Sequence, residues 1–319
     1  MGAAMKALLA ACLIFSITAV SAETLVDHFL AGECRTDAQP TLIVADVTRA
    51  GEIDDSISLM MYRELERRGC IDVIGVVSIF GNGGSSTANV HKNLLQRLDE
   101  LGFEAWKPLV LRGPDRKSFG VVSPRDHERL TMVAHIIKRH RSVVIVELGP
   151  LTISSRLLMH GMVQPETIER ILGIGGRVAG ERFATGRKLG VLFGFRDMNI
   201  DEDTNAVSYL LRHHPGKLWM VTYQTGLGAR TVTSDMVGAH APLLADHARR
   251  RARILQKLLG YQGIPSWDTW TTRYFLVGGA ESLACGPTRA GMRYADQSFR
   301  DPMQLWLDLP EGHMITACR

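Results

Sequence analysis

The chain has 319 residues, 45% of them hydrophobic and 22% charged, with a formal net charge of +4. That length allows one large α/β domain or two smaller ones. The positive charge is dispersed: Arg67-Arg68, Arg139 to Arg141 and Arg249 to Arg253 are short runs in helical contexts, which read as solvated faces and exclude a nucleic-acid footprint.

The first 22 residues have the layout of an export signal. Lys6 supplies the positive start, Ala7 to Val20 the apolar core, and Val20-Ser21-Ala22 a small-residue cleavage site before Glu23. The apolar stretch is short for a membrane span, and no later segment is long enough. The expectation is a secreted or periplasmic protein with no stable membrane insertion after cleavage. A retained N-terminal anchor is the alternative reading of the same residues. Cleavage removes Cys12 and leaves Cys34, Cys70, Cys285 and Cys318. In an oxidising compartment these allow two disulfides in three pairings, including a bridge between Cys34 and Cys318 near the two ends. No two cysteines have zinc-ligand spacing.

From about residue 23 onward, apolar strands alternate with helical patterns. Strands are expected at Thr41 to Val47, Ile71 to Ser78, Leu109 to Leu111, Ser142 to Leu148, Arg170 to Ile174 and Lys217 to Thr222. Helices are expected at Ser56 to Arg68, Ser86 to Leu101, Asp126 to Arg139, Leu151 to His160, Thr204 to His213 and Ala241 to Leu259. The alternation predicts a mainly parallel open sheet flanked by helices, an α/β fold in one domain over residues 23–319. Val178 to Phe195 is rich in Gly and Arg without clear periodicity, and reads as an active-site loop or lid.

The first strand ends in acids: Asp46, then the pair Asp54 and Asp55 where the next helix begins. Carboxylates at the carboxyl end of an inner strand meet the ligand crevice of an open α/β sheet. Such a cluster repels itself unless a cation or shared protons neutralise it, and all-oxygen donors favour Ca²⁺ or Mg²⁺. The plainer reading makes Asp54 and Asp55 first-turn acids of a helix.

Further motifs follow in order. Gly81-Asn82-Gly83-Gly84 ends the second strand, where Asn82 offers both a donor and an acceptor. Leu148-Gly149-Pro150-Leu151-Thr152 can aim the Leu148 carbonyl into the crevice. Ile174-Gly175-Gly176 puts glycines after another strand. Asp203 reads as a helix N-cap, whereas Asp197 and Asn199 have no such structural role and point to ligand contact. Trp267-Asp268-Thr269 precedes an apolar helix expected at Trp270 to Val277, which Asp268 could simply cap.

Taken together, these motifs resemble the inosine-uridine-preferring nucleoside hydrolases. That family shows a D-x-D-x-G-x-D-D opening, then V-x-G-N, L-G-P-L-T-N and M-G-G turns, an acid-F-N segment and a late H-D-P. The counterparts here are Asp46 to Asp55, Phe80-Gly81-Asn82, Leu148 to Thr152, Ile174-Gly175-Gly176, Asp197-Met198-Asn199 with Asp203, and Trp267-Asp268-Thr269. The resemblance spans essentially the mature chain and implies a Rossmann-like core. It also implies a Ca²⁺ held by Asp54 or Asp55, Asp268, the Leu148 carbonyl and the first-strand carboxylate Asp46. Asp54, Asn82, Asp197 and Asn199 would contact the nucleoside, and Trp267 would stack on the base. Water activated at the cation and deprotonated by Asp46 would attack the anomeric carbon. Members are often dimers or tetramers, so a homo-oligomer is an expectation with no surface assigned.

The chain departs from the pattern in three places. Only one acid stands in the opening: if Asp46 matches the first, the base position is Thr48; if it matches the second, Asp46 is the base and the loop to Asp54 is longer. Ile153 replaces the Asn of the L-T-N turn, and Trp267, which cannot protonate a leaving base, replaces the late His. The resemblance therefore implies a Ca²⁺-dependent N-ribohydrolase releasing base and ribose. The alternative is a catalytically degenerate relative that binds a riboside or a protein partner. A dinucleotide-binding fold is excluded by the lack of G-x-G-x-x-G after the first strand.

Overall fold

The computed structural model describes residues 24–48, 53–81, 85–115, 122–175, 198–221, 232–259, 263–277 and the strand segments 285–289, 293–295, 304–306 and 314–318. The strands are β1 (Glu33–Cys34), β2 (Gln39–Ala45), β3 (Ile71–Ser78), β4 (Val110–Arg112), β5 (Val143–Glu147), β6 (Ile168–Ile174), β7 (Leu218–Val221), β8 (Leu276–Val277), β9 (Cys285–Arg289), β10 (Arg293–Ala295), β11 (Gln304–Trp306) and β12 (Met314–Cys318). The helices are α1 (Leu25–Phe29), α2 (Asp54–Arg67), α3 (Thr87–Leu101), α4 (Pro124–Ile137), α5 (Thr152–Met159), α6 (Met198–Glu202), α7 (Thr204–His213), α8 (Ser234–His240) and α9 (Ala245–Leu259).

Eight strands form one sheet in the order β4-β3-β2-β5-β6-β7-β12-β9. Every neighbouring pair is parallel except β12 with β9, so the fold is the expected mainly parallel α/β sheet flanked by helices. Successive side chains of β2 feed opposite faces: Ile43 and Ala45 enter the core beside α1 and α2, Leu42 and Val44 the core beside α4, α5 and α7. Both faces are covered, which is why these strands read as unbroken apolar runs rather than alternating ones.

The strand order places the site. From β2 the chain proceeds to β3 and β4 on one side, then returns to β5, β6 and β7 on the other. The carboxyl ends of β2 and β5 therefore flank the point where the order reverses, the place where open α/β sheets keep their ligand crevice. Asp46 follows β2 and Leu148 follows β5.

Several boundaries differ from the sequence reading. Helix α2 starts at Asp54 rather than Ser56, so both acids lie inside its first turn. The expected helix Ala241 to Leu259 begins later: Ala241 is non-helical, a 3-10 turn, Pro242–Leu244, follows, and α9 starts at Ala245, while the short helix α8 that ends at His240 was not expected. Pro242 lacks an N–H and holds its predecessor out of the helical region, which explains the break. The helix expected at Trp270 to Val277 is a 3-10 segment, Asp268–Phe275, followed by β8. Strand β8 pairs with β1, a small ladder that short apolar segments do not announce.

The disulfide joins Cys34 to Cys70. Cys34 sits in β1, and Cys70 leads into β3 beside the start of β2, where Gln39 N–H donates to the Cys70 carbonyl. Cys318 instead lies opposite Cys285 in the β12–β9 register. Among the described residues, no helix is long and apolar enough to cross a membrane.

Candidate active site

Asp54 and Asp55 open α2 without a side-chain cap from Ile53. Asp268 arrives from the other end of the chain on the 3-10 segment, and a set of buried hydroxyls stitches that segment to α2. Ser58 Oγ lies 2.9 Å from Thr269 Oγ1, which lies 2.6 Å from Ser266 Oγ. One turn on, Tyr62 Oη lies 2.6 Å from Thr271 Oγ1. The Arg273 guanidinium donates to the Phe29 and Ala31 carbonyls, and Trp270 packs edge-on against Phe29. These contacts are buried, so each hydroxyl that found a partner avoids a desolvation cost of about 1–3 kcal/mol.

The result is a trio: one carboxylate oxygen from each of Asp54, Asp55 and Asp268 lies within 4.8 Å of the others, and all three side chains are buried. Burial pushes the Asp54 carboxyl up to about 6, against the pull of backbone N–H groups and of the positive charge on Arg251. Asp54 Oδ1 is buried with no hydrogen-bond partner among the described residues. Three buried acids with an orphaned oxygen fit a hard divalent cation, whose charge offsets both the repulsion and the desolvation.

Asp46 is not one of the trio. It is 2% exposed and enclosed by the turns that follow β3 and β5. A Cβ at Gly81 would lie 2.1 Å from Asp46 Oδ2, and one at Gly149 would lie 3.0 Å from Asp46 Cγ. Glycines at these two positions let both turns close on the carboxylate. The Leu148 carbonyl and Asn199 are brought together directly: Asn199 Nδ2 donates to Leu148 O at 3.0 Å. Asp203 caps α7 through Ala206 N and also accepts from Thr152 Oγ1 at 2.7 Å, tying α7 to α5 beside the crevice. Ile153 is fully buried in the core on that face. Trp267 is half-buried and packs against the core on the α2 side, directly before Asp268. Asn82, Asp197, Gly176 and the Val178 to Phe195 segment lie outside the described residues.

Two contributors escaped the sequence reading. Glu147, the last residue of β5, is fully buried; its Oε1 accepts from Ser154 N at 2.8 Å, while its Oε2 has no partner among the described residues. Burial pushes its carboxyl up to about 8, and the charge of Asp203 adds to the rise. A lone acid closing the run Val143 to Val146 was the available signal. Arg251 sits in a run that looked like a solvated helix face, and its positive charge acts on the Asp54 carboxyl, opposing the rise that burial causes.

No protein-family model matches the chain, and no curated protein matches it in sequence. Solved structures do. A plant nucleoside hydrolase superposes with a TM-score of 0.61 at 14% identity, over 88% of this chain and 94% of that one. A purine-preferring ribonucleoside hydrolase from Gardnerella vaginalis gives 0.60 at 16%, over 88% and 93%. The type III effector protein XopQ, complexed with adenosine diphosphate ribose, gives 0.57 at 17%, over 80% and 86%. The chain therefore has the nucleoside hydrolase fold over nearly its whole length.

Proposed function

We propose that this protein hydrolyses the N-glycosidic bond of ribonucleosides to free base and ribose, with Ca²⁺ as the cation of the acid trio. The observation that carries the reading is the convergence of Asp54, Asp55 and Asp268 at the reversal point of the sheet. Two fold neighbours described as nucleoside hydrolases support it, and the third was solved with another riboside. When bound, a hard divalent cation supplies Lewis acidity and a lowered pKa for water.

The chain's own residues would do the rest. Asp46 takes the proton of the attacking water. The water oxygen bonds to the anomeric carbon, the bond to the base nitrogen breaks, its electron pair leaves with the base, which takes a proton from solvent, and Asp46 returns its proton to solvent. Asp54, Asn82, Asp197 and Asn199 hold the sugar hydroxyls, with carboxylates offsetting the positive charge that develops on the ring. Leu148 offers its carbonyl to the cation, and Trp267 stacks on the base. The first 22 residues, together with the Cys34–Cys70 bond, support export to an oxidising compartment.

A second reading, a relative that binds a riboside without turning it over, is favoured by one contact: the Asn199 amide occupies the Leu148 carbonyl. Reducing-sugar release from a panel of purine and pyrimidine nucleosides separates the two, run with Ca²⁺ and then with chelator. Chelator-sensitive ribose release is expected. Riboside binding with no release under either condition would leave the second reading standing.

A further inference from the structure

Strand β9 stands at the end of the eight-stranded sheet, held by its ladder with β12. Its sequence, Cys285-Gly286-Pro287-Thr288-Arg289, makes a poor strand. Gly286 contributes no side-chain packing and loses much backbone freedom on ordering. Pro287 has no N–H to donate, which suits it only to an edge. Five register pairs nonetheless align the two strands antiparallel, from Met314 opposite Arg289 to Cys318 opposite Cys285. Residues directly opposite each other in such a ladder share a face of the sheet. Their Cα atoms stand about 4.5–5.5 Å apart, inside the window of roughly 4.4–6.8 Å that a disulfide spans. The competing partners are already taken, because Cys34 and Cys70 are bonded to each other.

We propose that Cys285 and Cys318 form a second disulfide, which staples β9 to β12. Strand β12 also pairs in parallel with β7, and Cys318 lies beside Val221, the last residue of β7. Val221 in turn lies beside Ile174, the last residue of β6. The bond therefore sits level with the carboxyl ends of these strands, the end of the sheet that carries the crevice, and fixes the first residue of β9 there. It also closes the segment that carries β10 and β11 into a covalent loop. The chemistry needs an oxidant, the disulfide of a thiol oxidoreductase or of oxidised glutathione. One cysteine thiolate attacks that disulfide and displaces one thiol, leaving a mixed disulfide. The second thiolate attacks the cysteine sulfur of the mixed disulfide and displaces the other thiol. The two cysteines lose two electrons and two protons, and the oxidant is reduced to two thiols.

The test is disulfide mapping of the whole chain, folded in the presence of oxidised glutathione. Free thiols are alkylated without reduction, and the monomer band of a non-reducing gel is digested with trypsin and analysed by mass spectrometry. A peptide pair joining Cys285 to Cys318 is expected, and it should separate on reduction. The Cys34→Ser and Cys70→Ser pair of substitutions should leave that cross-link intact, since register selects it and not elimination. Cys318→Ser should turn Cys285 into an alkylated thiol in the monomer. Recovery of Cys285 and Cys318 as alkylated peptides from the wild type overturns the proposal. So does a cross-link from either of them to another cysteine, and so does a Cys285–Cys318 pair found only in a disulfide-linked dimer, where the bond joins two chains.

Discussion

At the scale of single residues, the two acids with raised pKa values make separable predictions. Asp54 must be ionised to hold a cation, and burial holds its carboxyl at about 6. Asp268→Ala removes one of three converging carboxylates, and Ca²⁺ affinity should fall by roughly tenfold or more in a calorimetric titration, since affinity follows ligand charge count. Asp46→Ala should abolish ribose release while far-UV circular dichroism stays that of the parent; unchanged release would take Asp46 out of the chemistry. Glu147 bears on stability instead. Its folded pKa, about 8, lies above the ordinary value of 4.5, so the folded state binds its proton more tightly than the unfolded one. The resulting stabilisation is full below about pH 4.5 and is lost as pH rises through about 8. Glu147→Gln cannot ionise and keeps an acceptor for Ser154 N–H. Denaturant melts should then show it more stable than the parent above pH 8, by on the order of 1 kcal/mol. Parallel curves from pH 5 to 9 would show that Glu147 is not the titrating group.

At the scale of elements, the site depends on turns closing on a side chain. Gly81→Ala places a methyl 2.1 Å from Asp46 Oδ2, at a φ of +157°, so either the β3 turn or Asp46 must move. Ribose release should drop by roughly a hundredfold, because displacements of about 1 Å at a reacting group carry that cost, with little change in far-UV dichroism. What could be read from sequence follows the same division. The strands β2, β3, β5 and β6 announced themselves because burial on both faces demands continuous apolar runs. Asp54 and Asp55 were legible because they follow the carboxyl end of an inner strand, where the crevice of an open α/β sheet lies, although first-turn acids also have a local reason to exist. Asp268 was legible only through its place in an ordered set of motifs. The Ser58–Thr269 and Tyr62–Thr271 contacts had no signal, since a hydroxyl does not reveal a partner more than 200 positions away. The later start of α9 was visible in Pro242 and was overridden by the helical pattern that follows it. The pairing of Cys34 with Cys70 was beyond sequence, because four cysteines carry no register.

At the scale of the whole molecule, two long-range ties hold the crevice. One is the Cys34–Cys70 bond, whose partners are separated by 36 positions that contain Asp46, Asp54 and Asp55. Closing a loop of that length stabilises the fold by roughly 3–4 kcal/mol in the chain-entropy description. Dithiothreitol, or the Cys34→Ser and Cys70→Ser pair, should lower denaturant stability by about that much; a loss under ~1 kcal/mol would mean the unfolded chain is already constrained there.

The other tie is the seam between α2 and the 3-10 segment, whose Ser58 and Thr269 are 211 positions apart. Its consequence lies in the order in which the protein is made. While the chain is being synthesised, Asp54 and Asp55 exist long before Asp268, and two adjacent carboxylates alone are a poor cation trap. A chain truncated before Ser266 would carry much of the sheet and none of the completed trio. The cation proposed for this trio would therefore be held tightly only once the 3-10 segment has docked on α2, so its capture would distinguish a chain with that seam closed from one without it.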